Sequence, residues 1–151
     1  MTEALDYLSA NVVLFSGILL IAARVLSCQQ PSEWALMALP ALAGLCLHMH
    51  YMLAVKFDYG WNMKLCLILG AVQALAWVIW SQWVQHIARW KFLAFFVGIH
   101  AGLLLEVLDF PPFLELFDAH SLWHAYTPPF VYMWYSLFIS DAMWMSYHKQ
   151  L

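Results

Sequence analysis

Charged side chains are few in this sequence: six Lys or Arg and nine Asp or Glu among 151 residues, 10% of the whole against 65% hydrophobic. A soluble domain of this length needs far more polar surface, so that class is excluded. The six cations are scattered and the formal net charge is −3. No basic stripe is left to track a phosphate backbone, which excludes nucleic acid as a partner. Cysteine is scarce too. Cys28, Cys46 and Cys66 have neither metal-ligand nor redox spacing, and they read as small packing residues in or beside apolar segments. Basic residues are missing ahead of the first apolar run, where Glu3 and Asp6 stand instead. A signal peptide needs a basic n-region, so residues 1–28 are read as a retained helix, although "VLSC" partly resembles a lipoprotein cleavage site. Low-complexity tracts and internal repeats are lacking. Neither Ser9 nor Ser16 has a base visibly paired with it, which disfavours a serine nucleophile.

What is present is apolar sequence in long runs, each able to cross a hydrocarbon core about 30 Å thick. The expected fold class is all-α, a polytopic transmembrane helix bundle forming one domain over residues 1–151. Breakers divide it into five helices, at about 5–26, 33–55, 63–84, 90–108 and 118–147. "CQQPSE" follows the first, "KFDYGWN" the second and "QHIARWK" the third, while Pro111 and Pro112 close the fourth. Pro40 is expected to kink the second helix without ending it, and Pro128 with Pro129 to bend the last after its first turns. Nine Trp, seven Tyr and ten Phe suit interfacial belts and helix packing.

Five alternating crossings put the N-terminus, "KFDYGWN" and "EVLDFPPFLELFDAH" on one side of the membrane. That side holds Glu3, Asp6, Asp58, Glu106, Asp109, Glu115 and Asp118 against Lys56 and Lys64, whereas the other holds Arg24, Arg89, Lys91 and Lys149 with Glu33. The positive-inside rule makes the second side, with the C-terminus, cytoplasmic and the first luminal or external. The first and fifth helices then run the same way, which puts Asp6 and the pair His120/His124 at one membrane depth.

That pair lies in "HSLWH". At i and i+4 two imidazoles project from one helical face about one turn apart, the spacing by which one helix grips a divalent ion. A hydrolytic zinc site adds a third protein ligand and keeps one position for water. Asp6 could orient that water or shuttle its proton. Interfacial histidines are also commonly just hydrogen-bonded, and both readings stand at this point. His48 and His50 lie near the same membrane face and could reach such a site, though they read first as interfacial polar residues. His100, in mid-span, is expected to hydrogen-bond a neighbouring helix, while His86 and His148 fall on the cytoplasmic side. Asp118 is placed to cap the last helix, Asp109 to brace the turn into it, and Asp58 to shape the loop around Gly60.

Taken in order, "EALDYLSA", "HYMLAVKFDYGWN" and "LLLEVLDFPPFLELFDAHSLWH" resemble the membrane core of the post-GPI attachment to proteins factor 3 family, over nearly the whole chain. The resemblance implies a hydrolase fold of seven helices, shared with alkaline ceramidases and adiponectin receptors, of which this chain holds the last five. It implies zinc near one membrane face, with His120 and His124 as two of three histidine ligands and Asp6 as the catalytic aspartate. The family's third histidine, and the serine four residues ahead of it, fall before Met1. The expected explanations are a truncated chain, a short form without hydrolysis, or one that uses His50 as a substitute ligand.

The function so implied is a zinc-dependent acyl-ester hydrolase that removes the sn-2 acyl chain during GPI-anchor lipid remodelling. Its site would face the lumen of the endoplasmic reticulum or Golgi, with a membrane lipid or GPI-anchored protein as substrate. The alternative is a non-catalytic lipid-binding or accessory membrane protein. Haem ligation is disfavoured, because the histidines are not paired at the bilayer centre.

Overall fold

The computed structural model describes residues 2–28, 30–108, 110–112 and 117–148. The chain is all-helical and divides into two compact units, Met1–Trp77 and Val78–Leu151. Among the described residues, four helical stretches are long and apolar enough to cross a membrane: Leu5–Val25, Pro31–Val55, Tyr59–Trp83 and Arg89–Leu108. This is a multi-pass membrane protein.

The first unit holds α1 (Thr2–Val25), α2 (Pro31–His50) and most of α3 (Tyr59–Trp83). Helix α1 ends without glycine. Ser27 takes the left-handed conformation (φ 53°), so that its N–H reaches Arg24 O and the Cys28 N–H reaches Ala23 O, a Schellman closure. Helix α2 opens with Pro31, whose fixed φ suits the first helical position, and Glu33 accepts the Gln30 N–H at 2.9 Å. It runs through Pro40 unbroken and continues as a π turn, Tyr51–Val55. The extended Lys56 ends it, its N–H still reaching Tyr51 O.

Helix α3 begins four residues earlier than its apolar pattern suggests. Asp58 Oδ1 accepts the Trp61 N–H at 2.9 Å while Lys56 Nζ holds Oδ2 at 2.7 Å. Asp58 therefore caps a helix, with Gly60 inside its first turn. The Lys56 ammonium, and then the Trp61 amide, hold the Asp58 carboxyl below the usual carboxylate range. A cap outranks the weak hydrophobicity of "YGWN" in deciding where the helix starts.

The second unit holds the end of α3, then α4 (Arg89–Leu108), α5 (Ala119–Tyr126) and α6 (Pro128–His148). The fifth helix expected from the sequence is α5 and α6 together. Pro128 and Pro129 have no N–H for the carbonyls of His124 and Ala125, so the ladder breaks there. Thr127 Oγ1 donates to His124 O at 3.3 Å and replaces one of the lost bonds. Helix α6 has 21 residues and mixes Tyr, Trp, Ser and Asp141 with its apolar side chains.

Two glycines one turn apart on α4 let α5 and α6 come close. A Cβ on Gly98 would fall 2.4 Å from the Phe130 ring, and one on Gly102 would fall 2.2 Å from the Tyr126 ring. Small residues at this spacing are the usual means of close approach where lipid supplies no hydrophobic drive. The Tyr126 hydroxyl donates to Gly98 O at 3.0 Å. Above these glycines Phe95 stacks on Trp134 with centroids 5.0 Å apart.

Candidate metal centre

Helix α5 is short, and it is held at both ends. Asp118 takes the N-cap position, as its sequence position suggests. Its Oδ1 accepts the Ser121 N–H at 2.7 Å, and the Ser121 hydroxyl accepts the Asp118 N–H at 3.1 Å. The Ser121 amide, then its hydroxyl, hold the Asp118 carboxyl below its ordinary range. Tyr126 clamps the other end onto Gly98 and Gly102. Asp109 and Glu115 lie outside the described residues.

Between these fixed ends His120 and His124 meet. Their Nε2 atoms are 3.0 Å apart and their rings stand edge to face, at an interplanar angle of 86°. His120 Nδ1 lies 2.7 Å from Glu106 Oε1, at the end of α4. A carboxylate only accepts, so His120 carries its proton on Nδ1 and offers a lone pair at Nε2. That lone pair can accept the His124 Nε2–H. Both imidazoles are exposed, while the Glu106 side chain is only 9% exposed.

The donor set fits zinc. Two nitrogens bound at about 2.0–2.1 Å with a tetrahedral angle lie about 3.3 Å apart, close to the separation here. A carboxylate on the remote ring nitrogen is the usual way a ligating histidine is fixed in tautomer and orientation. Glu106 was not singled out from the sequence, where it counted only as a loop-side charge. An acid at the end of the preceding helix, 14 residues before His120, was the available signal.

The first unit carries the other sequence candidates. Asp6 is half-buried in the opening turns of α1, where its carbonyl accepts the Ser9 hydroxyl at 2.7 Å. Next to it Tyr7 packs against Tyr59 and Phe57, at centroid distances of 5.2 and 6.0 Å. Deeper in the unit three helices meet around one amide. Asn62 Oδ1 accepts both the Asn11 Nδ2–H at 2.7 Å and the His48 Nε2–H at 3.0 Å, and Asn11 also donates to Tyr7 O at 2.9 Å. Asn11, Asn62 and His48 are all buried. His48 is thus a polar residue of the helix packing, while His50 is exposed.

His100 departs from expectation. Its Nδ1 lies 2.8 Å from Phe96 O, one turn back in its own helix, in place of a bond to a neighbouring helix. The i−4 carbonyl is the nearest acceptor and requires no partner element. His86 is buried in the second unit. Its Nδ1 accepts the Ala88 N–H at 3.0 Å and its Nε2 faces Asp141 Oδ1 at 3.7 Å. The rings of Trp144, Phe92 and Trp80 enclose it, at 5.1, 5.4 and 5.6 Å.

The model of the Per1-like family matches residues 1–142. Among curated proteins the chain is similar to three named "GPI-specific phospholipase A2-like PGAP3". The one from Xenopus laevis is 34% identical over 148 residues, 96% of this chain and 46% of the relative. The one from Danio rerio is 32% identical over 145 residues, 95% of this chain and 46% of the relative. The one from Homo sapiens is 31% identical over 147 residues, 96% and 46%. The chain spans about half the length of the curated relatives it matches. No solved structure matches it.

Proposed function

Because the chain belongs to the Per1-like family, we propose that it carries the catalytic face of a zinc-dependent acyl-ester hydrolase acting on the lipid of GPI-anchored proteins. The observation that carries this reading is the convergence of His120 and His124 at their Nε2 atoms, with Glu106 fixing the first ring. The relatives' name, GPI-specific phospholipase A2-like, supports ester hydrolysis at the sn-2 position.

His120 and His124 would hold the ion. Zinc supplies Lewis-acid polarisation of an ester carbonyl and brings the pKa of water towards neutrality. The remaining roles belong to the chain. Glu106 keeps the His120 proton on Nδ1, so that Nε2 stays available as a ligand. Asp6 takes the proton of the attacking water and returns it to the leaving glycerol oxygen, so the products are a free fatty acid and a lysolipid. A third protein ligand completes the set. His50, exposed at the end of α2, is the candidate for it within this chain. The acid-rich loops would face the lumen of the endoplasmic reticulum or Golgi. Helix α6 makes the fifth crossing, which leaves the C-terminus cytoplasmic.

The test is metal analysis joined to lipid release. Purified in detergent with zinc supplied, the chain should bind one zinc, lose it on His124→Ala, and release free fatty acid from a GPI-anchored substrate. An intact, folded protein that binds no zinc and releases no fatty acid would overturn this reading and support the other, a non-catalytic lipid-binding or accessory membrane protein that keeps the fold without the chemistry.

A further inference from the structure

At the end of α4 away from Glu106, about 25 Å along the helix, the second unit has an open groove of about 600 Å³. Ile87, Trp90 and Lys91 form one wall and Met143, Trp144 and Tyr147 the other. Ile87, Trp90, Met143 and Tyr147 are exposed. Trp144 is held from behind by its contact with the His86 ring at 5.1 Å and with Trp80 at 5.7 Å. The wall is therefore built into the packing, and it does not depend on a loose surface side chain.

Lys91 behaves unusually for a lysine near the end of a membrane helix. Such side chains normally extend along apolar surface towards water. Here Nζ donates to Ser136 Oγ, one turn further from the end of α6 than the groove residue Ser140. The ammonium is thus drawn inward, below the aromatic rim of Trp90 and Tyr147. Among the described residues no acidic side chain lines the groove and no carboxylate pairs with Lys91. The neighbouring cation is otherwise engaged. Arg89 Nη1 donates to Gln85 Oε1 at 2.5 Å, and its guanidinium sits 5.9 Å from the Trp90 ring. A cation held inside the membrane boundary beside one hydroxyl needs an anion.

We infer that this groove binds an anionic phospholipid, with its phosphate on Lys91 and one acyl chain laid between Ile87 and Met143. Apolar walls, tryptophans at headgroup level and one uncompensated ammonium together match a phosphodiester joined to hydrocarbon, the chemistry of the bilayer around the protein. The inference is independent of the hydrolase reading, since it uses none of Asp6, Glu106, His120 or His124.

The test is the association of spin-labelled phosphatidylserine and phosphatidylcholine with the full chain in nanodiscs, read as the motionally restricted fraction. Wild-type protein should prefer phosphatidylserine by about fivefold, the worth of one lysine near the surface. Lys91→Gln should bring the ratio close to one, and Lys91→Arg should keep it. Met143→Trp, which fills the groove, should lower restriction of both lipids. Equal association of the two lipids with wild-type protein overturns the inference. So does a preference unaltered in a Lys91→Gln protein whose melting temperature is unchanged.

Discussion

Glu106 Oε1 stands 2.7 Å from His120 Nδ1, joining the end of α4 to the first turn of α5. The carboxylate decides which ring nitrogen carries the proton, and so which one faces His124. Removing it leaves both imidazoles in place and frees the tautomer.

Glu106→Gln should therefore lower zinc affinity by about 10–100-fold while leaving the fold intact, the usual cost of losing a carboxylate behind a ligating histidine. Competition with a chromophoric chelator measures it. Unchanged affinity would make Glu106 a bystander.

Asn62 is the single acceptor shared by Asn11 and His48. Asn62→Leu should destabilise the first unit by about 1–3 kcal/mol, because two buried donors lose their partner together. Paired with Asn11→Leu, the second change should cost much less than it does alone. Thermal unfolding in detergent reads both.

Gly102 lies under the Tyr126 ring. Gly102→Val should cost about 1–3 kcal/mol through overpacking and push α5 away from α4, breaking the Glu106–His120 contact. Tyr126→Phe removes only the bond to Gly98 O and should cost about 0.5–1.5 kcal/mol. A zinc affinity that falls in the first variant and holds in the second would tie the glycine to the site through position alone.

Asp118 caps α5 with a carboxyl whose folded pKa is held down by Ser121. For a depressed acid, the stabilisation is complete above the unfolded pKa, about 3.9, and is lost as pH falls through the lower folded value. Amide exchange in Ala119–Tyr126 should thus be faster in Asp118→Ala than in wild type at pH 6, and the gap should close below about pH 4. A gap that persists in acid would mean that the neutral carboxyl of Asp118 caps as well as the carboxylate, and no gap at pH 6 would give the cap to the Ser121 hydroxyl, which accepts the backbone N–H of residue 118 in both proteins.

Helix positions were legible because a membrane admits little else. Apolar runs, prolines and turn residues placed the ends of five helices within about four residues, and the HxxxH spacing placed two rings on one face. The edges that moved were settled by hydrogen bonds between particular atoms. Asp58 drew α3 back to Tyr59, and the i−4 carbonyl of Phe96 took His100 from any neighbouring helix. Glu106 was illegible for a related reason: residue spacing within one helix is periodic, whereas a contact between two helices joined by a loop follows no period.

What the sequence determined by itself is the class of molecule, which follows from composition, the pairing of His120 with His124, which follows from distances along one helix, and the family blocks, which rest on resemblance alone. Tertiary structure alone decided that Glu106 backs His120, that Asn62 gathers Asn11 and His48, and that Lys91 turns inward to Ser136. Each joins atoms from different helices, and their meeting depends on how closely the backbones approach. On α4 that approach is set by the missing side chains of Gly98 and Gly102.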